Sequence, residues 1–498
     1  LTFVINCNLQ QLYGPVRGKD VFIPLSQLIG GVEMAGKGWN MLNECLAIGR
    51  SITLPSTASG DAKAGAVVTG AYARIRKQFG LSIGRFEGVE EALARIGGKA
   101  YAISALAQAT AAAVDRGDVP SVPSAIAKYH CTSMSREVIS DVMDVIGGKG
   151  IILGPKNFAG RSWQAAPIAI TVEGANIMTR SLLIFGQGAI LCHPWVMKEM
   201  KAAQDPDVQR GLEEFDRNLF GHIRYGISNA VRSFWFGITG AKFGAAPGDD
   251  YTRRYFRKLD RYSANLALMA DVSMLTLGGK LKFKESLSGR LGDVLSHIYM
   301  TSAILKRYHD DGAPEGDKPL LAWAFHDSVH RIETALSDAL RNFPIRPIGW
   351  LMWALIFPLG RRAEAPGDRL GHRVASLLMN VNEARERLAQ GVFLTPCENN
   401  PGGRIDSYLA KAIAAEPVER KFLKALKGKN IQALDYNAQL DEAVREGVLT
   451  ADERNQLAEL RAITLDAITV DDFDVHELRA ATHYDRATTG SQPARAVA

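Results

Sequence analysis

The feature that most narrows the fold is a succession of apolar residues at three- and four-residue spacing, punctuated by glycine and proline. The period turns helical at Trp39. Met41, Leu42, Cys45, Leu46 and Ile48 begin it, and after Pro55 it resumes through Val67, Val68, Tyr72 and Ile75 to Gly80. A second, alanine-rich stretch predicts a helix from about Phe86 to Asp115, and a third predicts one from about Ser121 to Ile146, stopped by Gly147-Gly148. A fourth begins near Glu173. Such spacing lines one face of a helix with apolar side chains. Four helices on short links predict an antiparallel bundle.

After His193-Pro194 the chain stays helical over 206–239, 252–278, 285–309 and 319–342. Pro344, Pro347 and Pro358 break the next stretch, and shorter helices are expected near 405–426 and 451–464. Residues 12–36, rich in Gly and Pro around the apolar Val21–Pro24, read as the end of a β region. The tail beyond Asp474 has the composition of a disordered segment. The expected fold is therefore mainly α.

Of 498 residues, 47% are hydrophobic and 22% charged, enough for two or three domains with full cores. Five cysteines without a CxxC pair point to a reducing compartment. No signal peptide and no bilayer-spanning apolar run is evident, so the expected location is the cytoplasm, with inner-membrane association as a further possibility. The net charge of +6 is concentrated. Between Arg253 and Arg290, nine cations face the three acids Asp260, Asp271 and Glu285. That is either a solvated helix face or a surface for an anionic partner, a phospholipid surface or a phosphate-rich cofactor. No recognition motif accompanies it, so nucleic acid is not expected. Ile348–Gly360, with Trp350 and Trp353 inside it and Arg346, Arg361 and Arg362 at its ends, suits either a buried core or a bilayer interface.

Familiar catalytic signatures are absent: there is no GxSxG, P-loop, GxGxxG or zinc spacing. His326 and His330 stand four apart on a helix without an evident third ligand, and no metal is expected. Glu173, in "TVEGANIMTRSLLIFGQGAI", sits at a helix mouth. A carboxylate there gains about 0.3–1 kcal/mol from the helix dipole. The same position, on a tight turn backed by apolar wall, also suits a general base whose pKa burial would raise. "ARIRKQFG" puts Arg74, Arg76 and Lys77 in a last helical turn with Gly80 at C′. "DVIGGKG" is a helix stop whose glycines also let a backbone approach a diphosphate.

In this order the pieces resemble the C-terminal helical domain of acyl-CoA dehydrogenases. The branch most similar is that of the long proteobacterial fatty acyl-CoA dehydrogenases, which carry an extra helical region. "GGKGIILGPKNF", "APIAITVEGANIMTRS", "FGQGAILCHP", "SANLALMADVSMLTLGG" and "ITVDDFD" carry the likeness, which runs from Gly14 to Asp474. The opening "LTFVINCNLQQLYGPVRG" is similar instead to the thiamine-dependent pyruvate dehydrogenase E1 component, as a splice of two reading frames would produce. The resemblance implies a foreign stretch and a short β remnant over 1–36, a four-helix catalytic bundle over 37–192, an appended all-α domain over 193–475 and a tail over 476–498.

The resemblance also implies FAD as cofactor and α,β-dehydrogenation of fatty acyl-CoA to trans-2-enoyl-CoA, the first step of β-oxidation. Electrons would pass to an electron-transferring flavoprotein. Glu173 becomes the catalytic base, its backbone N–H facing the thioester carbonyl. Arg76, Gln78 and Phe79 match positions that touch the FAD of a neighbouring subunit, which implies a homo-oligomer. Gly147 and Gly148 match glycines at the FAD diphosphate. Asp144 and Glu87 stand where many relatives have Gln. Ala175 and Asn176 follow the base where relatives contact FAD, although Ala175 lacks the hydroxyl some of them carry. Arg50 matches an arginine near the CoA end. Val172, beside Gly174 on the substrate side, replaces a common aromatic residue and alters the acyl pocket. Rival readings are an acyl-CoA oxidase using O₂ and a non-catalytic helical module that docks on membranes. With only a β remnant before the bundle, the chain alone is expected to be colourless, inactive and prone to aggregate.

Overall fold

A computed structural model of the chain describes residues 17–118, 120–191, 193–428 and 431–474. Helix α1, Gly38–Ile75, runs unbroken through Pro55, where the sequence pattern predicts an interruption. Every residue from Ala66 to Ile75 is buried, because α1 packs against α2 (Glu87–Asp115), α3 (Ser121–Ile146) and a later helix. A helix covered on all sides carries no polar stripe, which blurs its period. It ends at Ile75, earlier than predicted. Lys77–Gln78 (β1) and Leu81–Ser82 (β2) form a small antiparallel hairpin. Its central residues, Phe79 and Gly80, have φ of 53° and 79°, as the tightest hairpin turns demand. Gly80 is thus a turn residue rather than a helix C′.

Helices α2 and α3 lie where the spacing predicts them. At Gly147 the backbone takes φ 60°, ψ −136°, a region closed to side chains with a Cβ. A one-turn helix, Gly148–Ile151, and a loop then lead to α4, Gly160–Thr171, which the pattern did not yield. Next, Asn176–Met178, Thr179–Ile184 and Phe185–Leu191 continue in line as α5, the middle part wound as a π-helix. The expected fourth helix therefore starts at Asn176. Glu173 lies before it, in the connecting turn, and not in a first helical turn.

Eleven further helices follow among the described residues: α6 (Val196–Ala203), α7 (Val208–Thr239), α8 (Arg253–Leu277), α9 (Glu285–Asp310), α10 (Lys318–Arg341), α11 (Arg346–Ile356), α12 (Asp368–Leu378), α13 (Glu383–Ala389), α14 (Pro401–Lys427), α15 (Tyr436–Arg445) and α16 (Ala451–Ile468). Pro347 falls in the first turn of α11, where a missing N–H costs little, so the predicted break is a helix start. Residues 17–36 hold single 3₁₀ turns at Leu25–Gln27 and Val32–Met34 and no strand. The expected β remnant has no neighbour to supply a ladder. The tail after Asp474 lies outside the described residues.

The later helices do not stand apart. Helices α9, α10 and α12 pack on α2, and α14 packs on α1, so one apolar core runs from Ala58 to Ala467. Close approach depends on glycine. A Cβ at Gly98 of α2 would lie inside the Trp323 indole of α10, and one at Gly70 of α1 would overlap the Leu378 carbonyl of α12. Arg180 of α5 grips Asp293 of α9 with two hydrogen bonds, 2.8 and 2.5 Å. Past α16 the chain straps back across the loop after Gly147: Lys149 donates to the Thr469 carbonyl at 2.7 Å, and Asp471 accepts from the Lys156 amide at 2.9 Å.

Candidate active site

Glu173 adopts φ 54°, a left-handed conformation that costs a non-glycine residue of order 1–3 kcal/mol when held in place. The clamp that holds it comes from α3. Lys128, fully buried, donates to the Gly174 carbonyl and to Asn176 Oδ1, each at 2.7 Å. Asn176 Nδ2 in turn donates to Thr132 Oγ1 at 3.0 Å and Ser133 Oγ at 2.9 Å. Burial, and next the Arg50 guanidinium, pull the Lys128 pKa down to about 8, against the attraction of Glu173.

The Glu173 carboxylate faces α1, with Oε1 over Gly49, while Oε2 is buried and meets no hydrogen-bond partner. Arg50 Nε is likewise buried and unpartnered, and its Nη2 lies over Gly174. A buried carboxylate oxygen without a hydrogen bond is costly. Flanked by two cations, it can still take a proton from a carbon acid set against it. Val172 is half-buried and Ala175 exposed. A cleft of about 420 Å³ adjoins the turn, lined among others by Tyr129, Ser133, Asn176, Ile177, Arg180 and Glu285. Glu173 is not on its lining.

The other candidate residues gather elsewhere. Arg76 Nη1 donates to the Tyr72 hydroxyl at 2.6 Å, and that hydroxyl meets the Ile146 carbonyl at 3.5 Å. This brings the hairpin base to the Gly147-Gly148 stop. Both glycines are exposed, and a Cβ on either would meet nothing within 4 Å. Gln78 and Phe79 occupy the hairpin tip, Phe79 at 94% exposure, and Arg74 ties the hairpin base to Glu416 of α14 at 2.5 Å. Lys128 and Gly147 lie near opposite ends of α3. At 1.5 Å per residue they are roughly 28 Å apart. The structure thus forms two clusters: Arg50, Val172, Glu173, Gly174, Ala175 and Asn176 at one end, and Arg76, Gln78, Phe79, Gly147 and Gly148 at the other.

Sequence reasoning missed Lys128. Its signal was a polar line one turn apart, Ser124, Lys128 and Thr132, inside an otherwise apolar face. It also missed a cluster brought together only by the fold: His193, His222 and Asp271 place possible ligand atoms within 4.8 Å of one another. His193 Nδ1 accepts from the Trp195 and Val196 amides at 3.2 Å. Its Nε2 therefore carries the proton, directed at Asp271 Oδ1 2.8 Å away. That arrangement is a hydrogen-bonded set and leaves His193 no lone pair for a metal. His222 bridges Asp271 and Glu199 at 3.2 and 2.8 Å. Burial pulls its pKa down, but the two carboxylates raise it above the ordinary value. His330 instead meets the Ala363 carbonyl, and burial holds His326 down at about 4. Part of the basic run 253–290 is engaged by the fold, while Lys280, Lys282 and Lys284 stay exposed. Arg254 lies over Tyr251 and Tyr255, Arg257 donates to the Gly244 carbonyl, and Arg261 is buried 3.4 Å from Glu333.

Two family models match the chain: "Acyl-CoA dehydrogenase, C-terminal domain" over residues 36–184, and "Acyl-CoA dehydrogenase, C-terminal, bacterial type" over residues 190–473. Among solved structures, the chain is similar to an acyl-CoA dehydrogenase complexed with FAD from Bacillus anthracis, with a TM-score of 0.53 and 16% identity over 71% of this chain and 57% of that one. Arabidopsis thaliana acyl-CoA oxidase 1 gives a TM-score of 0.45 and 13% identity over 81% of this chain and 57% of that one. Among curated proteins, "Protein HemX" of Proteus mirabilis is 56% identical over 64 residues, 13% of this chain and 38% of that protein. The chain thus spans little more than half the length of these solved relatives and 38% of the curated one.

Proposed function

Since this chain belongs to the acyl-CoA dehydrogenase family, we propose that it carries the proton-abstracting end of a flavin-dependent fatty acyl-CoA dehydrogenase. The observation that carries the reading is Glu173: a left-handed residue in a clamped turn, with one buried carboxylate oxygen free of hydrogen bonds. Glu173 takes the α proton of the acyl thioester onto that oxygen, and the α C–H electron pair moves toward the thioester carbonyl. As the β C–H bond breaks, the trans-2 double bond forms. FAD, when bound, supplies the acceptor for the β hydride. Lys128 fixes the turn through the Gly174 carbonyl and Asn176, and Arg50 lies over Gly174 beside it.

The residues of the second cluster fit a flavin dinucleotide. The exposed glycine pair lets a diphosphate approach the backbone, Arg76 brings a cation beside it, and Phe79 offers a ring for stacking. Their distance from Glu173 supports a shared arrangement, in which one copy's glycine end serves the cofactor of a neighbouring copy. In the flavin-loaded protein, Glu173→Gln should keep FAD yet lower turnover by at least about 10²–10⁴-fold. Flavin bleaching by acyl-CoA at the wild-type rate in that variant would overturn the assignment. Slow reoxidation of the reduced flavin in air is expected for transfer to an electron-transferring flavoprotein, and fast reoxidation would favour an oxidase.

A further inference from the structure

Helix α7 turns an apolar face outward. Phe220, Ile223, Ile227, Val231, Trp235 and Ile238 recur at steps of three and four residues, the spacing of a single stripe. All are exposed, Phe220 at 66%, Ile227 at 62% and Val231 at 63%. The packing of α7 is on its other side, against α6, α8 and α11. Isolated exposed apolar residues are ordinary, but a contiguous stripe on a 32-residue helix is not. The stripe adjoins a second exposed apolar surface. Gly237 backs onto Pro358 just past α11, and Arg362 donates to the Ile238 carbonyl at 3.5 Å. Helix α11 itself exposes Trp350, at 65%, and Leu351.

We propose that α7 and α11 together form a docking face for an anionic phospholipid surface. Charge decides the occupant. Between Asp216 and Asp249 the chain has Arg217, Arg224, Arg232 and Lys242 and no acid. Between Asp338 and Glu364 it has Arg341, which pairs with Asp338 at 2.9 Å, and Arg346, Arg361 and Arg362, with no acid in between. A second copy on this face would set these cations against their own kind. Anionic headgroups neutralise them, each nearby cation adding attraction that salt screens. Trp235 and Trp350 suit the depth at which headgroups meet acyl chains. Among the described residues no helix is long and apolar enough to cross a membrane. An amphipathic helix of this kind lies in the plane of the interface. Of the basic run 253–290, Arg257 and Arg261 are held internally, whereas Lys280, Lys282 and Lys284 are exposed outside α7 and α11. The face is independent of the reaction proposed above.

Flotation of the full chain with vesicles tests this. Wild-type protein should float with vesicles of phosphatidylcholine and phosphatidylglycerol at low salt, roughly tenfold more than with phosphatidylcholine alone, and should detach as salt rises. The double variant Ile227→Asp, Val231→Asp should lose that binding about tenfold with unchanged thermal melting, since both positions are exposed. Ile227→Leu, Val231→Ile should retain it. Failure of the wild type to float with anionic vesicles would overturn the proposal, and so would equal flotation of the Asp variant. A wild-type dimer that the Asp variant dissociates, without vesicle binding, would show the face to be a self-contact instead.

Discussion

Glu173 shows how much of a site is held by residues that do no chemistry. Its turn is fixed by one buried ammonium bonded to the Gly174 carbonyl and Asn176 Oδ1. Lys128→Met should therefore leave Asn176 Oδ1 unmatched and the Gly174 carbonyl with only the Thr179 hydroxyl at 3.3 Å, at about 1–3 kcal/mol for the acceptor left bare. We expect the urea midpoint to fall with an unchanged slope, and Lys128→Arg not to restore it, because a planar fork does not fit a two-point ammonium seat. Gly147 is the second sensitive point. At φ 60°, ψ −136°, Gly147→Ala should cost on the order of 1–3 kcal/mol although space for a methyl exists; a melting curve matching the wild type would refute this. The sequence pointed to Glu173, Gly147 and Gly148 because short-range features mark them: a helix mouth and a helix stop. It was silent on Lys128 and on the His193–His222–Asp271 set, whose meaning arises only when distant segments meet.

At the level of elements, legibility followed spacing and clear stops. Helix α3 has a covered and an open side, and α2, though buried at nearly every position from Ala92 to Ala107, is alanine-rich and uninterrupted, so both were placed closely. Helix α1 is enclosed on every side along its last turns, so its period faded and its end was misplaced. Helix α4, with Pro167 inside it, and helices α12 and α13 were not placed, and α11, set among Pro344, Pro347 and Pro358, was read as broken chain. Helix α7 was found by its period, but the period did not tell that its apolar stripe faces outward, because spacing fixes a face and not what lies opposite it. The contact between α2 and α10 gives a direct test. Gly98→Ala would force a methyl into the Trp323 ring and should destabilise by about 1–3 kcal/mol or more. Trp323→Leu should relieve part of that, so a double-mutant cycle should be strongly non-additive. Additive losses would mean that the two helices do not meet as described.

Across the whole molecule, the bundle and the later helices are joined by a buried pair, His130 of α3 and His297 of α9, with ring centroids 4.9 Å apart. Burial, then the nearby cations Arg331 and Arg180, hold His130 down at about 3; burial, then His130 and Arg331, hold His297 well below its ordinary value. Both are neutral when folded and would take a proton when unfolded below pH about 6.5. Their contribution is present above about pH 6.5. Below it, each histidine removes about 1.4 kcal/mol for every pH unit, until the pH reaches its folded value. Asp61 works the other way, since burial lifts its carboxyl to about 7. Melting temperature should thus fall from pH 6.5 to pH 4.5 in the wild type and fall less in the double variant His130→Gln, His297→Gln. Equal slopes would exclude the pair as an acid-sensitive joint.

The strap that crosses the loop after Gly147 also sets a timetable. Lys149 and Lys156 find their partners, Thr469 and Asp471, 320 and 315 residues later in the chain. A ribosome adding 5–20 residues per second needs roughly 16–60 s to cover that interval. For that time the bundle can close around Tyr72 and Tyr101 while the Gly147 corner stays unfastened. The corner becomes whole only once Thr469 and Asp471 have been made, so a ribosome that stalls within α14 or α15 leaves a bundle whose glycine corner lacks its fastening.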